Sequence, residues 1–281
     1  MSAEFGKQLQ DAIDNGTIKA NLAGIALGDS WISPMDFVNT WPEYLYSLSF
    51  LDGKQLVEAN AKAADCQQIV DAEQWHDASE CFHEMENLIS QQTAGVSWYN
   101  ILKVEGTDDW SLRKSSIKSK LSDKRKTFNR YVGYLQSDPL TDLMNGKIRQ
   151  KFGSTIPKHI QFGAQSWKVF KQQQGDFMTS NYDTVDNLLS RGINVSIFNG
   201  QLDLICNTLG VEKWLQRLQW KHRDDFLNSD KTDFGEKQVW GFQKGYKNLQ
   251  LFYILRAGHM VAYDVPWPAL EVVKKIIGKS S

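Results

Sequence analysis

Two short runs of this chain carry residue types suited to proton transfer. In Val195-Ser196-Ile197-Phe198-Asn199-Gly200-Gln201-Leu202-Asp203, an acid follows an apolar stretch and a tight Asn-Gly turn. In Phe252-Tyr253-Ile254-Leu255-Arg256-Ala257-Gly258-His259-Met260, a histidine follows a second apolar stretch. A carboxylate that accepts a hydrogen bond from one ring nitrogen fixes the tautomer of an imidazole. It also stabilises the imidazolium formed when the other nitrogen takes a proton from a nucleophile. Asp203 and His259 are therefore the candidate catalytic residues, and the 56 positions between them leave room for a helical crossover and a strand. A plainer reading also fits, in which Asp203 caps the segment after it and His259 is a hydrogen-bonded turn residue.

The hydroxyl that such a pair would serve is harder to find. A serine nucleophile on an α/β sheet needs Gly-x-Ser-x-Gly at a sharp strand-to-helix turn. That turn exposes the serine oxygen and lets the next backbone N–H hold the oxyanion. The sequence contains no such motif. Ser30, in Gly28-Asp29-Ser30-Trp31-Ile32, has Ile32 where the second glycine is needed, and Ser166, in Gly163-Ala164-Gln165-Ser166, lacks the frame as well. The three cysteines show no metal-ligand spacing, so neither a metal nor a cofactor is expected.

The elements that must position these residues follow from periodicity. Leu22 to Leu27, Ile193 to Phe198 and Leu249 to Leu255 are apolar runs of strand length bounded by turn residues. Helical patterns accompany them. Phe5, Leu9, Ala12 and Ile13 share one helical face ahead of Asn15-Gly16, and Tyr182, Val185, Leu188 and Leu189 share another ahead of Arg191-Gly192. Leu270, Val273, Ile276 and Ile277 form a last stripe closed by Gly278. Alternation of helix and strand at both ends predicts an α/β sheet with parallel connections, at whose strand ends ligands collect. The stretch from 35 to 174 is polar and mainly helical in period, with Leu56, Ala59, Ala63, Cys66 and Val70 on one helix and Cys81, Met85, Leu88 and Ile89 on another. Residues 1–34 and 175–281 are thus expected to form the sheet core, and 35–174 a helical insertion that covers the site, the alternative being a separate helical domain unrelated to it.

Composition limits the classes further. The 281 residues are 41% hydrophobic and 23% charged, and 32 Lys and Arg face 33 Asp and Glu for a net charge of -1. That balance gives no reason to expect nucleic acid as the main partner, although eight basic residues lie between Ser111 and Arg130. This basic run reads as a solvated face or, at Lys124-Arg125-Lys126, as a processing site. No apolar run approaches the roughly 18 residues of a membrane span, and the first residues do not form a signal peptide. Asn15-Gly16-Thr17 and Asn194-Val195-Ser196 fit the N-glycosylation pattern, or occur by chance. Cys66 and Cys81 are placed to close a short loop in an oxidising compartment, while Cys206 reads as a small buried apolar residue.

The order of Asp then His matches the last two members of the Ser…Asp…His order of α/β-hydrolases. The neighbouring residues carry a closer likeness. Ala257-Gly258-His259-Met260-Val261 with Tyr263-Asp264-Val265-Pro266, the run Asn199 to Thr208, and Gly28-Asp29-Ser30-Trp31-Ile32-Ser33-Pro34 together resemble the serine carboxypeptidase family, in order over nearly the whole chain. One departure is Ala262, where the family typically has proline.

The resemblance implies a partial α/β-hydrolase sheet with a large helical cap, and removal of C-terminal residues from peptides. It implies His259 as general base and acid, Asp203 as its orienting carboxylate, and Met260 and Cys206 close by as substrate-binding residues. The partners expected are peptide C-termini, and the localisation secreted or lysosomal. In the family the elbow serine immediately precedes a helix, which here is Met1 to Ile13. The expectation is therefore a chain that begins past its nucleophile and oxyanion hole and is inactive alone. A non-catalytic binding homologue, and an acyltransferase or esterase on the same fold, are the alternatives.

Overall fold

A computed structural model describes residues 1–103, 138–163 and 166–278; the basic run of 111–130 lies outside them. Five strands form one sheet: β1 (Gly24–Gly28), β2 (Asn194–Gly200), β3 (Thr232–Phe234), β4 (Gly241–Tyr246) and β5 (Leu249–Ile254). Their spatial order is β1-β2-β5-β4-β3. As expected, β1, β2 and β5 run parallel, with Ile197 opposite both Leu27 and Leu251.

β3 and β4 add an antiparallel edge that periodicity did not reveal. The β4–β5 hairpin turns on Lys247-Asn248, with Tyr246 opposite Leu249 and Lys247 at φ 52°. Such two-residue turns favour Asn-Gly or Asp-Gly because they need positive φ. Lys-Asn therefore gives little signal.

Both faces of the sheet are covered, which is why its strands read as continuous apolar runs rather than alternating ones. Along β5, Leu249 and Leu251 face one core together with Val195, Ile197 and Leu27. Phe252 and Ile254 face the other with Phe234, Val261 and Val272. Helices Ser2–Asp14, Tyr182–Ser190 and Thr208–Arg217 cover the first face through Ala3, Val185, Leu188, Val211 and Trp214. Helix Pro266–Ile276 covers the second through Val272.

Two of the expected apolar stripes turn out differently. In the first helix the buried residues are Ala3 and Gly6, while Phe5 is exposed. Gly6 permits this close approach, since a Cβ there would stand 2.9 Å from Ile25. In the last helix Leu270, Val273 and Ile277 are exposed, and the row Pro268–Val272 is buried instead. The i, i+4 row meets the sheet here, so the stripe counted on Leu270 points away from it.

The described residues between 35 and 174 form helices wherever they are regular. Helices Gly53–Asp71 and Trp75–Gln92 pack as a pair, and Asp52 starts the first with a reciprocal capping box to Gln55. Cys66 and Cys81 form a disulfide across them. A loop of 15 residues closed in this way contributes about 3 kcal/mol in the chain-entropy account. Their core holds Trp41, Trp98, Phe82 and Met85. Trp31, just after β1, stacks on Phe37, Trp41 and Phe177 and so joins this core to the sheet. No helix among the described residues is long and apolar enough to cross a membrane.

Candidate active site

The two runs singled out by residue type meet at the C-terminal ends of β2 and β5. β2 ends at Gly200, and a tight turn brings the Asp203 N–H onto the Gly200 carbonyl at 3.2 Å. Asn199 is buried, and its amide donates to the Cys206 carbonyl at 2.9 Å, which fixes the loop from inside. The loop after β5 lies directly against it. Gln201 N donates to Ile254 O at 2.8 Å and Leu202 N to Ala257 O at 2.7 Å. Only glycine fits at 200, because a Cβ would stand 2.2 Å from the Gly258 carbonyl oxygen.

Within that corner His259 Nδ1 donates to Asp203 Oδ2 at 2.9 Å. The Asp203 side chain is fully buried, and that of His259 is 27% exposed. Asp203 Oδ1 accepts from the Cys206 backbone N–H at 3.2 Å. A proton held on Nδ1 leaves the Nε2 lone pair free to take one from a hydroxyl. The structure thus brings the two residues expected from the sequence into contact.

A third segment closes the corner. The strip Val96 to Lys103, from the helical part of the chain, lies over both loops. Trp98 O accepts from Leu204 N and Ile205 N at 3.2 and 3.0 Å, and Tyr99 O accepts from His259 N at 2.7 Å. Ile101 N returns to Leu202 O at 3.0 Å, and the Tyr99 ring packs on the His259 ring with centroids 5.1 Å apart. Asp264 ties strip and loop together. It accepts from Gly258 N at 2.8 Å, from Asn100 Nδ2 at 2.9 Å and from Lys103 Nζ at 2.9 Å. Burial pushes the Asp264 carboxyl up, but the Lys103 ammonium and the Gly258 and Asn100 donors outweigh it and hold it below the ordinary value. No periodicity signals these links, because each joins residues far apart in sequence.

The remaining expected residues fall around this centre. Cys206 is buried, with its thiol within 4.8 Å of the Asp203 and His259 polar atoms. Burial and the nearby Asp203 and Asp29 charges push the thiol up, so it stays protonated. Met260 is 42% exposed beside His259. Asn15 and Asn194 are both on the surface; Asn15 Oδ1 accepts from Thr17 N at 3.0 Å, and Asn194 Nδ2 donates to Ala23 O at 2.8 Å. Ser30 Oγ donates to the Gly28 carbonyl at 3.1 Å and belongs to the turn after β1. Ser166 is an exposed residue ahead of helix Trp167–Phe177. Sequence reasoning passed over Asp29, which is buried just after β1 and whose Oδ1 accepts from the Gly200 N–H at 2.8 Å; burial and the nearby Asp203 charge push its carboxyl well up.

Comparison with known proteins agrees with this architecture. A family model described as serine carboxypeptidase matches residues 2–279. The chain is 40% identical to the retinoid-inducible serine carboxypeptidase of Mus musculus over 281 residues, covering 98% of this chain and 61% of that protein. It is 36% identical to serine carboxypeptidase-like 51 of Arabidopsis thaliana, covering 98% of this chain and 62% of the relative. The chain therefore spans about three-fifths of the length of these relatives. A solved prohormone-processing carboxypeptidase from Saccharomyces cerevisiae superimposes with a TM-score of 0.66 at 17% identity, over 98% of this chain and 60% of that one, and so shares its α/β-hydrolase fold. With its parallel strands, its covering helices and a family model matched from end to end, the chain belongs to the serine carboxypeptidase family.

Proposed function

We propose that this chain supplies the acid–base half of a serine carboxypeptidase acting on peptides with a free C-terminus. The observation that carries the reading is the 2.9 Å hydrogen bond from His259 Nδ1 to the fully buried Asp203 carboxylate. In this role His259 Nε2 takes the proton of a nucleophilic hydroxyl and then delivers it to the leaving amine. Asp203 keeps its charge throughout and stabilises the imidazolium. Met260 and Cys206 flank the pair, and residues 35–174 act as the cap whose strip of 96–103 holds both loops in place.

The hydroxyl itself is not among the serines of this sequence: no Gly-x-Ser-x-Gly is present, and Ser30 is engaged with a backbone carbonyl. On this reading the chain alone does not turn over peptides. A secreted or lysosomal setting accords with the Cys66–Cys81 disulfide, which persists in oxidising compartments. Asn15 and Asn194 would then be sites of glycosylation.

Two measurements test the proposal. Purified chain incubated with blocked dipeptides from mildly acidic to neutral pH should release no residue above background. Turnover abolished by His259→Ala would overturn the claimed inactivity. Independently, the His259 Nδ1–H held on the buried Asp203 carboxylate should give a downfield proton NMR signal in wild type that disappears in Asp203→Ala. A signal that survives Asp203→Ala would sink the pair.

A further inference from the structure

Three side chains of different donor chemistry converge beyond the ends of β2 and β5. One ligand atom each from Asp203, Cys206 and His259 lies within 4.8 Å of the other two, and among the described residues this is the one such group of His, Cys, Asp and Glu. Two of them stand three positions apart in one loop, Asp203-Leu204-Ile205-Cys206, which the Cys206 N–H ties to Asp203 Oδ1 at 3.2 Å. The third comes from the loop after β5, with His259 Nδ1 at 2.9 Å from Asp203 Oδ2.

Thiolate sulfur, imidazole nitrogen and carboxylate oxygen together are ligands of zinc, whereas calcium and magnesium take oxygen. Bonds of about 2.0 Å to nitrogen and oxygen and about 2.3 Å to sulfur set tetrahedral ligands about 3.3 to 3.5 Å apart. The carboxylate and the ring need only part slightly for that, and the sulfur moves by little more than an ångström at most. Asp203 and Cys206 are closed off from solvent, while the half-open His259 ring gives a way in. We propose that Asp203, Cys206 and His259 form a zinc site with three protein ligands and a water as the fourth, and that zinc there switches the acid–base pair off.

Three bonds form, from zinc to Asp203 Oδ2, His259 Nδ1 and Cys206 Sγ, and the hydrogen bond between Nδ1 and Oδ2 breaks. The Nδ1 proton leaves to solvent and Nε2 takes one up, so the ring stays neutral. The thiol, held protonated by burial and by the Asp203 and Asp29 charges, releases its proton to solvent as the metal binds. Carboxylate and thiolate then neutralise the cation, and nothing is oxidised or reduced. Its lone pair gone, Nε2 cannot take a proton from a hydroxyl. The site stands on geometry alone; its effect on proton transfer rests on reading Asp203 and His259 as the acid–base pair.

Cobalt(II), which takes zinc sites and absorbs light, tests this on the full chain with its disulfide intact. Cys206 is the free thiol of the chain, since Cys66 and Cys81 are joined. One equivalent should give the near-ultraviolet charge-transfer band of a cobalt–thiolate bond and the visible bands of four-coordinate cobalt, and added zinc should remove both. Absence of the charge-transfer band in wild type overturns the proposal, and that measurement needs no variant. His259→Ala should weaken cobalt binding about tenfold or more, a loss that even partners one step removed from a metal bring; unchanged binding overturns the proposal as well. The downfield Nδ1–H signal of the metal-free chain should vanish with one equivalent of zinc, and its persistence with zinc bound refutes the switching. If the metal-free chain lacks that signal while the cobalt bands appear, the acid–base reading fails and the metal site stands, so the two failures are told apart.

Discussion

Two regions around the same three parallel strands are built in opposite ways. At the C-terminal ends of β2 and β5, three segments meet through backbone hydrogen bonds, and glycines at 200 and 258 leave no room for a Cβ. Along β1, by contrast, helix Ser2–Asp14 docks through Ala3 and Gly6 and leaves Phe5 69% exposed. Phe5, Leu9, Leu22 and Ile25 line an open groove of about 490 Å³, and among the described strands β1 pairs only with β2. The contrast teaches where rigidity is placed. In the proposed role the imidazole must keep one orientation within a fraction of an ångström, and there main chain holds main chain. The β1 edge needs only contact, which small residues supply.

Three substitutions would sharpen or break that contrast, the largest first. Gly200→Ala drives a methyl into the Ala257 and Gly258 carbonyls, at 2.6 and 2.2 Å, with no flexible side chain to yield. It should cost about 3 kcal/mol in urea denaturation, the upper end for overpacking. If it is neutral, the corner is softer than its contacts indicate.

Asp264→Asn removes the charge that gathers Gly258 N, Asn100 and Lys103. Hydrogen bonds to a charged group suggest a loss of about 1.5 to 3 kcal/mol at neutral pH. The sign of its pH dependence follows from a carboxyl held below the ordinary 3.8. Its stabilisation is complete above that value and disappears as pH falls through the lowered one. The gap between wild type and variant should therefore close on acidification, and a constant gap would show that geometry rather than charge is at stake. Asp29→Asn should behave in the opposite sense, gaining on wild type as pH rises.

Phe5→Ser, on the open edge, should change stability by no more than about 0.5 kcal/mol, as surface substitutions do. A cost near that of a buried phenylalanine, about 3 kcal/mol or more, would mean that the groove is closed in solution.

How much the sequence disclosed depends on the range of the interaction involved. The parallel strands and the helices beginning near Ser2 and Tyr182 were readable, because apolar runs and cap residues act within a few positions. The faces of two of those helices were not. Phe5 and Leu270 counted as core by period, yet the docked rows are Ala3–Gly6 and Pro268–Val272. Which row meets a sheet is settled by close approach, and Gly6 is where that approach occurs. The β4–β5 hairpin escaped notice because Lys247 takes a positive φ usually left to glycine or asparagine.

At the site, residue type and order made Asp203 and His259 candidates, and the neighbouring runs Asn199 to Thr208 and Ala257 to Pro266 carried the likeness that favoured them over a plain cap and a turn residue. That much the amino-acid order determined by itself, together with the family, the helical character of the middle and the lack of a serine elbow motif. Only the tertiary structure decided that Tyr99 and Asp264 secure the histidine loop and that Asp29 holds the Gly200 N–H. The links from Tyr99 to His259, from Asn100 and Lys103 to Asp264 and from Asp29 to Gly200 each span 160 residues or more. Local periodicity carries no trace of such pairs, because they exist only once the sheet has brought its strand ends together.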